Sequence, residues 1–192
     1  MPKAQETVLE INLNALKHNF DYIKSKIHSN TKFLGVVKAF AYGSDAVEIA
    51  KHLQYLNVDY LAVAYVKEGV LLRDAGITKP IIVLHPQIIH FKTVIDCCLE
   101  PNLYSLTILD KFIKIAEEKD QLNYPVHLKF NTGLNRLGFN SKNLNTIVSY
   151  LKNTSSIKVK SSFSHLAASE DENEKEFTKT QIETFNSVYS TL

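Results

Sequence analysis

Apolar and polar positions along this chain alternate between two textures. Short apolar runs fall at residues 33–37, 60–64, 81–84, 99–104, 126–130 and 157–163, and their length predicts strands. Between them lie longer stretches in which apolar side chains return every three or four residues. These predict helices over 14–27, 45–55, 67–74, 88–98, 106–119, 144–151 and 173–189. In the first helix Leu16, Phe20, Ile23 and Ile27 form an amphipathic stripe, with Asn14 placed to cap it. Gly76 stops the helix over 67–74, and Pro80 and Pro125 introduce strands. Residues 8–13 make one further, leading strand candidate. The segment 88–98 is rich in β-branched residues, which fit a helix less well.

Strand followed by helix, six times over, predicts an α/β fold with a parallel sheet covered by helices. The spacing, about 24 to 30 residues per repeat, suits a TIM-type (β/α)8 barrel, and an open doubly wound sheet would give the same pattern. A barrel needs eight strands, whereas six are counted here, and the sequence ends on an amphipathic helix. An unclosed parallel sheet leaves two exposed edges, which proteins usually avoid. The expectation is therefore an open sheet or a barrel truncated to about six βα units.

Composition narrows this little. The 192 residues are 45% hydrophobic and 22% charged, with a net charge of +2. Such a weak field gives no reason to expect nucleic acid or an anionic membrane as partner. Lys158 and Lys160 read as a solvated strand face. No apolar run approaches the roughly 18 residues of a membrane-spanning helix. The opening residues lack the basic-then-apolar order of a secretory leader, so a cytoplasmic location is expected. Cys97 and Cys98 are adjacent, without metal-ligand spacing, and are expected to be buried thiols in a reducing compartment. No metal site is expected.

Chemistry enters at three strand ends. Lys38 closes the apolar run 33–37 and opens the turn Ala39-Phe40-Ala41-Tyr42-Gly43-Ser44. At the C-terminal end of a barrel strand, an amine partly shielded from water can serve as a covalent anchor for an aldehyde cofactor. The same pattern also fits a lysine snorkelling into solvent. The second segment, Lys129-Phe130-Asn131-Thr132-Gly133-Leu134-Asn135-Arg136-Leu137-Gly138-Phe139, holds two cations beside a turn. Buried cations there would each need an anionic partner. Arg136 could clamp a carboxylate bidentately, or be an ordinary surface arginine. In the third, Ser164-His165-Leu166-Ala167, His165 could pack on a planar ring or simply satisfy a local hydrogen bond. In a barrel, these three strand ends converge.

Taken together and in order, the three segments resemble the alanine racemase family of fold-type III enzymes. Val37-Lys38-Ala39-Phe40-Ala41-Tyr42-Gly43 is similar to its cofactor-lysine motif. Lys129 through Gly138 is similar to its internal lysine-arginine motif, and Ser164-His165-Leu166-Ala167 to its histidine motif. The resemblance covers nearly all of the chain from about Thr7. It implies that Lys38 carries pyridoxal 5'-phosphate as an internal aldimine and acts as one of two acid/base groups. It implies further that Tyr42 contacts the phosphate, that Leu84 and His165 lie by the ring, and that Arg136 faces the ring and the substrate carboxylate. Lys129 resembles a lysine that the family often carbamylates, which would turn a cation into an anion.

The implied activity is interconversion of L- and D-alanine for peptidoglycan precursors, by a longer homodimeric parent. Its second base would be a tyrosine from the partner's C-terminal β-domain, beyond this sequence. Residues 1–13 would be a leading segment pairing with that β-domain, and 14–192 a partial cofactor-binding barrel, inactive by itself. The main alternative is a non-catalytic pyridoxal-phosphate binding and homeostasis protein, which is a short single-domain barrel. Two departures mark this branch: Ser44-Asp45 stand where the family usually has His-Gly, and Asn131 stands where aspartate is usual.

Overall fold

The computed structural model describes residues 7–191, which form six strands alternating with helices. The strand order is β1 to β6, in chain order. The chain divides into two compact units, 1–82 and 83–192. No helix among the described residues is long and apolar enough to cross a membrane.

In the first unit α1 is Leu13–Lys26, β1 Leu34–Val36, α2 Lys38–Gly43, α3 Ala46–Tyr55, β2 Tyr60–Val63 and α4 Val66–Asp74. Asn12, rather than Asn14, caps α1, its side chain accepting from Ala15 N–H at 3.0 Å. Residues 8–12, expected as a strand, lie in neither helix nor strand, and residues 8–10 are exposed. Their alternation fits a strand, but none among the described residues pairs with them. β1 pairs in parallel with β2, aligning Leu34 with Tyr60 and Val36 with Ala62. Gly35 lets this pair lie close under α3, because a Cβ there would sit 2.7 Å from Leu53 Cδ1. Leu53, Val58, Leu61, Ala62, Val63 and Leu72 fill the core.

β3, Ile81–Val83, straddles the boundary between the units. The second unit then runs through α5 (Phe91–Asp96), β4 (Glu100–Leu103), α6 (Leu106–Glu118), β5 (Tyr124–Lys129), α7 (Leu144–Lys152), β6 (Ile157–Phe163) and α8 (Lys175–Tyr189). Short 3-10 turns lead into α5, α7 and α8. β4 pairs with β5 and β5 with β6, all parallel. Every residue of β4 is buried, as expected of a strand covered on both faces. Phe91 meets Phe112 edge to face with centroids 5.1 Å apart, and Phe112 meets Tyr124 at a tilt of 52° with centroids 5.8 Å apart. Cys97, expected as buried, is half-buried. Contrary to expectation Cys98 is exposed, because it takes the left-handed conformation (φ 50°) at the turn that ends α5.

The six βα units thus match the expected alternation, a (β/α) barrel fold represented by six strands.

Candidate active site

Lys38 follows buried Val37 directly at the end of β1, and its side chain is half-buried. The next four residues do not turn as the sequence pattern suggests. Ala39, Phe40, Ala41 and Tyr42 all have φ between 51° and 59° and ψ between 38° and 54°, one turn of left-handed helix. A backbone bond from Ala41 N–H to Val37 C=O at 3.1 Å ties the turn to the end of β1. The turn throws Phe40 and Tyr42 outward, 71% and 67% exposed, and sets Lys38 Nζ 5.8 Å from the centre of the Tyr42 ring. Gly43 (φ 93°) ends the turn in open space. Asp45 then caps α3 by accepting from the Val47 and Glu48 N–H groups. This is the work of one of the two departures from the family pattern.

One carboxylate holds the turn. Glu68, in the first turn of α4, accepts from Ala39 N–H through Oε1 at 2.8 Å. Its Oε2 accepts from Ala64 N–H at 2.6 Å and Tyr65 N–H at 3.0 Å. Sequence reasoning missed Glu68 because the residue three before it is tyrosine, not one of the small polar caps that signal a capping box.

In the second unit Lys129 ends β5 and is buried, at 8% exposure, with its Nζ 5.8 Å from the Phe163 ring centre. The chain then leaves the sheet at Phe130 and returns beside it at Phe139. Phe139 N–H donates to Lys129 C=O at 2.7 Å and Asn131 N–H to Phe139 C=O at 2.9 Å. The closed loop between carries Arg136, which is exposed rather than buried. Asn131 organises it, its Oδ1 accepting from Gly133 and Asn135 N–H while its Nδ2 donates to Asn135 Oδ1. The usual aspartate could make the first two bonds but not the third.

His165 is exposed after β6, and its backbone is tied down by α8. Gln181, fully buried, accepts from Ala167 N–H at 3.0 Å and donates towards His165 C=O at 3.3 Å and Thr132 Oγ1 at 3.4 Å. Thr132 and Ser164 share a hydroxyl bond at 2.7 Å, and Ser164 donates to Phe130 C=O. The Arg136 loop and the His165 loop are therefore fastened to one another and to α8. Gln181 stands on the stripe of Phe177, Phe185 and Val188, a polar residue on an apolar face that could have been noticed.

Leu84 follows β3, half-buried, its carbonyl accepting from Asn102 Nδ2 at 2.8 Å. Beside it His85 stacks on Tyr104 (centroids 5.5 Å apart, planes at 18°), the Tyr104 hydroxyl 3.0 Å from His85 Nδ1. Burial pushes the Tyr104 phenol above its ordinary value. Deeper in β5, His127 bridges Glu100 and Ser161, each at 2.7 Å. No group of residues suited to a metal ion occurs among those described.

The residues available fit an aldehyde cofactor: a half-buried amine on a rigid turn, with a phenol on the same turn. Comparison with known proteins points the same way. Residues 11–192 match the model of the alanine racemase N-terminal domain. Over 191 residues the chain is 34% identical to alanine racemase 2 of Oceanobacillus iheyensis, covering 98% of this chain and 48% of that protein. The solved alanine racemase of Clostridium difficile 630 in complex with cycloserine superposes with a TM-score of 0.88 at 36% identity. It covers 95% of this chain, which in turn spans 50% of it. The Bacillus anthracis enzyme with bound L-Ala-P gives 0.89 at 28% identity, over all of this chain and 50% of that one. The chain thus spans about half the length of the relatives it matches. It belongs to the alanine racemase N-terminal domain family.

Proposed function

We propose that this chain is the cofactor-binding region of a pyridoxal-phosphate-dependent alanine racemase that interconverts L- and D-alanine. The observation that carries the reading is Lys38 on its left-handed turn at the end of β1, within a family match that spans residues 11–192. When bound, the cofactor supplies the electron sink that makes the α-proton of an amino acid removable. Lys38 Nζ anchors it and exchanges a proton on one face of the substrate carbon. The Tyr42 hydroxyl, exposed on the same turn, is offered to the phosphate. Leu84 and His165 are offered to the ring, and Arg136, on its closed loop, to the substrate carboxylate. Lys129, buried, becomes an anion if carbamylated, which gives Arg136 a partner of opposite charge.

A proton must be delivered on the opposite face as well, and no tyrosine of this chain is assigned that part. In the proposed parent it comes from the partner subunit of a homodimer in the cytoplasm, where the product feeds peptidoglycan synthesis.

Absorbance titration with pyridoxal phosphate tests the reading. The full-length protein is expected to develop the band of a lysine-bound cofactor, and Lys38→Ala to lose it while remaining folded. A band of undiminished strength in Lys38→Ala overturns the assignment of Lys38. Cofactor binding without racemisation of alanine by the full-length protein overturns the enzymatic reading in favour of a binding protein.

A further inference from the structure

Four consecutive non-glycine residues in the left-handed region are costly, at about 1–2 kcal/mol each, and such a conformation persists only where its surroundings impose it. What imposes it here can be traced. Ala39 is the first residue of the turn, adjacent to Lys38, and its N–H points at Glu68 Oε1, 2.8 Å away. The same carboxylate takes the Ala64 and Tyr65 N–H groups on its other oxygen. Glu68 is itself fixed in α4, whose first turn closes with Glu68 N–H donating to Tyr65 C=O at 3.1 Å. One carboxyl side chain thus joins the end of β1 to the end of β2, and each junction uses a different oxygen.

We propose that Glu68 is a positioning residue for the cofactor lysine, clamping the left-handed turn after Lys38 to the β2–α4 junction. The inference rests on the reading of Lys38 as the cofactor anchor. A carboxylate is required because all three facing groups are N–H donors, so the site needs two acceptor oxygens. Glutamine has one, and its NH2 would face an N–H at one junction or the other. Alanine has none. Aspartate is one methylene shorter and cannot span both junctions from the same helix position. Glu68 acts through the backbone of Ala39 and has no role in moving protons.

The test uses the full-length protein with Glu68→Ala, Glu68→Gln and Lys38→Ala, read by amide hydrogen exchange and by the pyridoxal-phosphate titration. In Glu68→Ala, exchange at Ala39 is expected to accelerate roughly tenfold or more, as loss of a charge-assisted bond implies, while amides of the β2 core keep their protection. The dissociation constant for pyridoxal phosphate is expected to rise by a similar factor. Glu68→Gln should fall between the two, a partial rescue that loss of stability alone would not produce. Unchanged cofactor affinity in both Glu68 variants would overturn the proposal. So would an affinity loss matched by a uniform loss of protection throughout 7–82. If Lys38→Ala keeps the band, the reading of Lys38 fails. Exchange at Ala39 then still decides whether Glu68 holds the turn.

Discussion

Ala39 and Ala41 alternate with Phe40 and Tyr42 in a backbone conformation that L-residues seldom adopt even singly. The penalty comes from Cβ meeting the following carbonyl, so it should respond to removal of Cβ. Ala41→Gly at φ 51° relieves that clash but gives the unfolded chain more freedom, and the two effects partly cancel. A net gain of up to about 1 kcal/mol is expected in chemical denaturation. Ala41→Val, which adds β-branching at the same φ, should lose stability. A destabilised glycine variant would mean that the turn is not strained at this position. Gly138 is the opposite case. With φ 141°, any Cβ there would lie 2.4 Å from Asn131 N and 2.6 Å from Phe130 C, so the loop carrying Arg136 could not close on its stem. Gly138→Ala is expected to cost about 2 kcal/mol or more and to free the Phe139 amide to exchange. A melting temperature equal to wild type would contradict it.

At the scale of elements, the buried Gln181 amide ties α8 to two loops, beside a longer Thr178 hydroxyl bond to Ala168 C=O at 3.5 Å. Gln181→Leu keeps the apolar stripe and roughly the volume, but strands the Ala167 N–H and the His165 carbonyl. Ala167 and His165 are themselves exposed, so water can meet part of the loss. The variant should lose exchange protection at Ala167 and melt earlier, losing no more than the low end of the about 1–3 kcal/mol of a fully buried unmet group. Equal stability would show that water replaces the amide. The six βα units were legible because burial on both faces leaves an unbroken apolar run such as Ile81, Ile82 and Val83, while one-sided burial leaves the helical stripe. What was not legible depended on partners distant in the chain. Nothing in Ala-Phe-Ala-Tyr announces a left-handed turn, since the residues that favour one are glycine and asparagine; its clamp, Glu68, lies 29 positions from Ala39. His85 and Tyr104 likewise meet only because β3 and β4 end side by side. The leading segment 8–13 erred the other way, since alternation alone does not make a strand where none of the described residues pairs with it.

For the molecule as a whole, the decisive fact is that the chain spans about half the length of its relatives. β1 stands first in the strand order, and Leu34 and Val36 on it are 39% and 37% exposed. They open into an apolar hollow of about 400 Å3 that Phe20 and Ile23 of α1 and Ile49 and Leu53 of α3 also line. Exposed apolar surface joined to a strand edge favours association with whatever can cover it. The 192-residue chain prepared by itself is therefore expected to self-associate with rising concentration and to bind a hydrophobic dye. Charge placed on that face should oppose both effects: Leu34→Lys combined with Val36→Lys is expected to lower the apparent mass in sedimentation and the dye signal together. Both positions are already partly in water, so the fold tolerates the change, and a preserved far-ultraviolet spectrum checks this. If the wild-type chain stays monomeric and dye-free across the concentration range, this face is stable in water as it stands. If the double variant associates as readily, the surface responsible lies elsewhere, and β6, the last strand in the order, is the next edge to charge.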